Sequence, residues 1–344
     1  MYQRFRHLMF RWDPEKVHDL IITLVRLAGA VPGLSPAVRE WLLPPGDYHV
    51  NCLGLKFPNP VGLAAGYDKD GLGWKGLAML GFGHLEIGTV TPEPQSGNPR
   101  PRIFRVPEKN ALINRMGFPG RGSAFVRAQL KPRGSGGIRD RIILGVNIGK
   151  NKTVPNQDAV RDYLSLVEDF APLADYLAVN ISSPNTVGLR DLQARVELER
   201  LLTAVVEHRD KLTEKHQKDL PVVVKLSPDL SDQALDDALD VMQLAGADGV
   251  IAANTTVSRP RGIPNIIQEE GGLSGEPLRT PSTELIRKIS RRTDGRLPII
   301  GVGGIAGPED ACSKLEAGAS LVQVYTGLIY QGPLLVRQIL QGLP

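Results

Sequence analysis

At 344 residues the chain exceeds the usual single hydrophobic core, yet an α/β barrel reaches this size as one domain and 42% hydrophobic residues can fill it. Lysine and arginine total 41 against 37 acidic residues, a net charge of +4; that argues against a nucleic-acid surface of clustered cations and leaves anionic small molecules or anionic lipid open. Cys52 and Cys312, the only cysteines, offer no CxxC and no Cys/His spacing for a metal, and fit a reducing compartment without demanding one.

The chain opens on helical patterning. Leu20 to Val31 is an apolar stretch of about a dozen residues interrupted by Arg26, too short for a bilayer span of ~20. Asp13, Glu15 and Asp19 precede it, which argues against a signal peptide or a mitochondrial presequence, both acid-poor. Asp13-Pro14 reads instead as an N-cap followed by proline at the first helical position, and Val17, Leu20, Ile21, Leu24 and Ala28 recur at helical spacing. Ser35-Pro36 reads as a second cap, opening a short helix through Trp41. Residues 1–43 are expected to form a helical pair with an apolar face, carrying six Lys/Arg against four Asp/Glu. Such a face either lies on a membrane or packs on the main domain. Leu43-Pro44-Pro45-Gly46 marks the seam, and residues 44–344 are the expected main domain.

From residue 60 onward, short apolar runs alternate with helical patterns. The runs are Val61 to Ala64, Leu85 to Gly88, Ile142 to Val146, Tyr176 to Val179, Val222 to Val224, Gly249 to Ala252, Ile299 to Val302 and Leu321 to Val324. Helical stretches fall between them, among them Gln157 to Phe170, Leu192 to Glu214, Ser231 to Leu244, Pro281 to Arg291 and Pro308 to Glu316. Strand then helix, repeated eight times, predicts a parallel sheet closed as a (β/α)8 TIM barrel with a small helical extension.

In that architecture the active site collects where strands end at their carboxyl edge. The residues there are polar or glycine: Gly66-Tyr67-Asp68-Lys69, Thr89, Asn147, Asn180 to Asn185, Lys225, Asn254-Thr255, Gly303-Gly304 and Tyr325-Thr326. The fullest run is NISSPNT, Asn180 to Thr186. Its Ser-Ser-Pro-Asn is by itself an ordinary turn sequence. Asn180 and Asn185, each with one acceptor and two donors, could equally grip a ring of alternating N–H and C=O groups, with Ser183 between them to move a proton. A rim of amides, hydroxyls and two lysines above an apolar barrel favours the second reading.

GVGG at 301–304 and YTG at 325–327 close the seventh and eighth strands, where a barrel commonly cradles a phosphate on glycine backbone. Pro308 starts the next helix, whose N-terminus is expected to face the same phosphate. Two connections are longer than an idle loop requires, Val90 to Arg141 and Thr256 to Thr280, and read as lids or substrate walls. The first carries Asn114-Arg115-Met116-Gly117-Phe118; the second ends in Gly271-Gly272-Leu273-Ser274-Gly275, flexible enough for backbone to lie along a ligand.

Taken together and in order, AAGYDKDG (64–71), HLEIGTVTPEPQSGNPRPRIFR (84–105), NRMGF (114–118), GVNIGKNK (145–152), NISSPNTVGLR (180–190), VKLSPD (224–229), NTT (254–256), GGLSG (271–275) and GVGGI (301–305) resemble the dihydroorotate dehydrogenases. The likeness is to the quinone-reducing class 2 form, whose N-terminal helices this chain shares. A class 1 enzyme would carry a cysteine base where Ser183 stands, and a dihydrouridine synthase would carry a basic RNA-binding extension. A non-catalytic flavin- or phosphate-binding barrel docked on a membrane by its helices is the remaining alternative.

The resemblance implies oxidation of dihydroorotate to orotate in pyrimidine synthesis, through one FMN per chain, with a membrane quinone as acceptor and no metal. It assigns Ser183 as the base for the C5 proton. It assigns the substrate to Lys69, Asn114, Arg115, Met116, Gly117, Phe118, Asn180, Asn185, Asn254 and Thr255. The FMN contacts it implies are Ala65, Gly66, Tyr67, Asp68, Lys69, Thr89, Asn147, Asn180, Lys225, Ala253, Gly275, Gly304, Tyr325 and Thr326, with Ala253 standing where relatives often carry a hydroxyl. His18 and Arg105 match positions around the quinone head group. The expected location is peripheral, on the cytoplasmic side of a bacterial inner membrane.

Overall fold

The computed structural model describes residues 2–131, 138–259 and 269–344. Eight parallel strands close a barrel in sequence order: β1 (Val61–Leu63), β2 (His84–Val90), β3 (Ile143–Ile148), β4 (Tyr176–Asn180), β5 (Val222–Leu226), β6 (Gly249–Ala252), β7 (Ile299–Val302) and β8 (Leu321–Val324). β8 pairs with β1 through Val322↔Val61 and Val324↔Leu63, so no edge is left. Each strand is buried on both faces, which is why the sequence reads as continuous apolar runs rather than an alternation.

Helices pack outside. The helix Asp232–Ala245 starts on Ser231, whose Oγ accepts from Ala234 N at 3.2 Å, and ends on left-handed Gly246. Inside, small residues on the strands make room for large neighbours. A Cβ on Gly62 would lie 2.0 Å from His84 Nε2, and one on Gly145 would lie 2.1 Å from the Tyr176 ring. The amino end of the barrel is shut by the antiparallel hairpin Val50–Cys52/Leu55–Phe57, with Phe57 edge-on to His84.

The long connections do more than wall a ligand. Ile103–Val106, Ala111–Asn114 and Gly272–Gly275 join as a three-stranded antiparallel sheet over the carboxyl end. The glycines of the second connection are there for close packing rather than flexibility: a Cβ on Gly272 would sit 2.0 Å from Thr255 Oγ1. Residues 260–268 of this connection, part of the expected lid, lie outside the described residues.

The N-terminal segment has three helices, not the expected pair: α1 (Tyr2–Met9), α2 (Pro14–Ala30) and α3 (Leu34–Leu42). Asp13 caps α2 as the sequence predicts, accepting from Glu15 N and Lys16 N. The Ser35 cap does not form. Gly33 at φ +76° turns the chain tightly enough for α3 to begin at Leu34, which leaves Ser35 inside its first turn. α2 rests against the helix Trp74–Ala78, where glycine allows contact backbone to backbone: a Cβ on Gly76 would lie 1.9 Å from Val25 O. Glu15 is buried and accepts from Arg102 Nη2 at 2.6 Å and Arg100 Nη2 at 2.9 Å, tying α2 to the loop after β2. No single described helix is long and apolar enough to cross a membrane; α2 and α3 together would be, but they meet at a bend of 107°.

Candidate active site

The carboxyl end of the barrel opens into a cavity walled by strand ends, by their loops and by the antiparallel sheet above them. Asn114, Asn180, Asn185 and Asn254 all line it, together with Ser183 and Thr255. They come from different elements. Asn180 ends β4, Ser183 and Asn185 follow in its loop, Asn254 follows β6, and Asn114 ends the middle strand of the antiparallel sheet.

Hydrogen bonds set their facing. Asn180 Nδ2 donates to Thr89 Oγ1 (2.9 Å) and Asn147 Oδ1 (3.1 Å), while its Oδ1 accepts from Asn254 Nδ2 at 3.3 Å. Asn185 Nδ2 donates to Asn114 Oδ1, and Asn185 N donates to Ser183 Oγ at 3.3 Å. Arg190 staples two loops from behind, donating to Ser182 O and Thr255 O while paired with Asp229. Gln95 and Asn98 do the same for the first connection: Gln95 Nε2 donates to Phe118 O, and Asn98 Nδ2 donates to Arg115 O and Asn185 O. These positioning residues escaped the sequence reading because their partners are backbone carbonyls remote in the chain.

Of the other expected site residues, Ala65, Gly66, Lys69, Thr89, Met116, Gly117, Phe118, Lys225, Ala253, Gly275, Gly304, Tyr325 and Thr326 line the same cavity. Lys69 is half-buried and donates to Gly66 O at 2.8 Å; desolvation pushes its ammonium below the ordinary lysine range, with Glu15 and Asp70 pulling the other way. Four expected residues do not line it. Asn147 lies beneath the rim, bonded to Glu86, Thr89 and Asn180. Arg115 turns away, because Glu269 pairs with it at 2.6 Å and the Phe104 ring lies under its guanidinium. Asp68 accepts from Leu72 N and Gly73 N, and burial raises its carboxyl to about 6. Tyr67 faces a second cavity. Pro308 is absent from the lining too: Asp310 of its own helix accepts from Ala306 N at 2.8 Å, putting a carboxylate where the phosphate was expected to meet the helix.

A family model, dihydroorotate dehydrogenase, matches residues 48–344. Dihydroorotate dehydrogenase (quinone) of Thermobifida fusca (strain YX) is 48% identical over 349 residues, 99% of this chain and 91% of the relative; that of Delftia acidovorans is 47% identical over 98% and 96%. The chain belongs to the dihydroorotate dehydrogenase family. It is an oxidoreductase of the quinone-dependent class 2 branch. Its fold is similar to the crystal structure of DHODH from Eimeria tenella in complex with ferulenol, with a TM-score of 0.84 at 38% identity over 95% of this chain and 89% of that one.

The second cavity lies between α2 and the loops after β1 and β2. Glu15, His18, Tyr67, Asp68 and Arg102 line it, and Lys69, Ile103, Met116 and Pro119 border it and the first cavity alike. The His18 ring meets the edge of Tyr67 at 5.2 Å, and Tyr67 meets Tyr325 at 5.6 Å, so an aromatic file runs from α2 to the first cavity. Burial and the Lys69 charge hold His18 down to about 3. Arg105 is elsewhere, over the Phe10 ring and donating to Trp12 O at 2.7 Å, beside a third hollow. The structure therefore does not bring His18 and Arg105 into one cavity.

Proposed function

We propose that this chain oxidises dihydroorotate to orotate with FMN and delivers the electrons to a quinone that arrives from a membrane along α1–α3, as a step of pyrimidine synthesis. The observation that carries the reading is the convergence of four asparagines and Ser183 on one cavity.

The cavity residues fit FMN. At its far end Gly303 and Gly304 are left-handed, and a Cβ on Gly304 would lie 2.4 Å from Arg279 N, so only bare backbone suits that bend. Such a bend, with Thr326 beside it, is suited to a phosphate group. Gly275 likewise has no room for a side chain, and Lys225 supplies a cation on the inner wall. FMN, when bound there, would supply a hydride acceptor that can pass electrons onward.

Asn114, Asn180, Asn185 and Asn254 would hold the substrate's ring N–H and C=O groups, with the Lys69 cation near its carboxylate. Ser183 would take the C5 proton, which is acidic because it is α to a ring carbonyl. The donors around it would stabilise the enolate charge that develops. Tyr325, Tyr67 and His18 lead from this cavity towards α2.

Membrane contact is supported by the outer face of α1–α3. Phe5, Leu8, Leu20, Leu24, Leu27 and Trp41 are exposed there, Trp41 to 74%, as in a helix lying in a lipid interface. That face would rest on the cytoplasmic side of a bacterial inner membrane.

The test is anaerobic addition of dihydroorotate to the purified protein. A yellow protein should bleach, and Ser183→Ala should stay yellow but bleach about 10²–10⁴ times more slowly. Unchanged bleaching in that variant sinks the catalytic reading, and a colourless native protein sinks the FMN reading.

A further inference from the structure

Beneath the cavity the barrel encloses a carboxylate that the reaction itself does not call for. Glu86, in β2, is 1% exposed. Its Oε1 accepts from Asn147 Nδ2 at 2.8 Å and lies 3.6 Å from Lys225 Nζ. Its Oε2 accepts from Gln323 Nε2 at 2.8 Å and from the Tyr176 hydroxyl at 3.2 Å. Three donors and one cation, from four other strands, meet on one acid. The cluster is built in, since Gly145 leaves the space that the Tyr176 ring fills.

We propose that Glu86 is a positioning residue: from inside the barrel it fixes which way the site's amides face and balances the charge of Lys225 on the cavity wall. A carboxylate accepts and does not donate. Asn147 must therefore present its nitrogen to Glu86 and turn Oδ1 towards the rim, where that oxygen accepts from Thr89 Oγ1 at 2.5 Å and Asn180 Nδ2 at 3.1 Å. With its nitrogen committed there, Asn180 directs Oδ1 at Asn254 Nδ2 and at Ser182 Oγ, both 3.3 Å away. Each link dictates the sense of the next, so one acid sets the polarity of the clamp. Burial and the neighbouring Glu86 push the Tyr176 phenol well above its ordinary range, which keeps it a donor. Gln323 joins the two levels: it bonds Glu86, lines the cavity, and its Oε1 has no partner among the described residues.

The charge balance rests on the FMN reading above. Lys225 lines the cavity and Glu86 offsets it from below, so removing the carboxylate leaves a lone buried cation that favours the more electron-rich state of whatever it faces. Glu86→Gln keeps the shape but sets three donors and a cation against one oxygen. In that variant the midpoint potential of bound FMN should rise by about 30 mV, equivalent to a tenfold change for a two-electron couple, and orotate should bind about tenfold more weakly as the amides lose their fixed facing.

Tyr176→Phe keeps the acid and removes one donor, leaving its charge less offset. There the potential should shift downwards, and this second variant decides the matter if Glu86→Gln does not fold. Native protein that binds no FMN sinks the functional reading instead. Native protein that binds FMN, with potentials in the variants that are unchanged or displaced in the same direction, overturns the role of Glu86.

Discussion

Asn185 Nδ2 donates to Asn114 Oδ1 at 3.0 Å, joining the loop after β4 to the antiparallel sheet across 71 residues of chain. The bond leaves Asn114 with its own amide nitrogen to offer and Asn185 with its oxygen, so one pair presents a donor and an acceptor to the cavity.

Asn185→Ala removes that acceptor and frees Asn114 to turn. Orotate should bind about tenfold more weakly, since a lost hydrogen bond costs about 0.5–1.5 kcal/mol and the loosened partner adds to it. FMN affinity should be unchanged. Spectral titration with orotate measures both, and an unaltered orotate affinity would remove Asn185 from the clamp.

Gly76→Val drives a side chain into Val25 O, 1.9 Å from where its Cβ must go. The barrel strands are untouched and α2 has to give way, at a cost of about 1–3 kcal/mol for overpacking. Turnover with quinone should fall much further than bleaching by dihydroorotate, which stopped-flow absorbance follows separately. Equal loss of both would mean that α2 supports the first half-reaction as well.

A buried imidazole, His84, and a half-buried one, His18, make the fold sensitive to acid. Burial holds His84 down to about 3, and burial together with Lys69 does the same to His18, against an ordinary value of 6.5. Below 6.5 the unfolded chain takes up protons that the folded chain refuses. The stabilisation is therefore complete above 6.5 and declines as pH falls towards 3, by about 1.4 kcal/mol per pH unit for each histidine. His84→Leu should lose about 1.4 kcal/mol less than the native protein between pH 7.5 and 5.5 in urea titrations. Parallel losses would mean that His84 is protonated within the fold.

The eight strands were legible because a parallel barrel buries both faces and so writes plain apolar runs. The amide clamp was legible because asparagine is out of place at the end of such a run unless it has work there. Glu86 and Gln323 sat in view within His84-Leu85-Glu86 and Val322-Gln323-Val324, but they are 237 residues apart and meet only through closure of the barrel. The sheet built from both long connections was hidden for the same reason: Asn114 pairs with Gly272, a register that no local pattern encodes. Arg115 misled because proximity in NRMGF to cavity residues says nothing of which side of a strand end a side chain takes.

The ion pair between Glu15 and Arg102 makes the N-terminal helices part of the barrel's rim. Arg102 is 6% exposed, and it donates to Ser96 O and Asn98 O in the loop that buttresses Asn185. A trimmed protein lacking α2 would lose the carboxylate that Arg102 pairs with and leave the guanidinium only the carbonyls of Ser96 and Asn98 to bond. A shortened version thus calls for a new choice of residue at 102 as well as fewer residues before it.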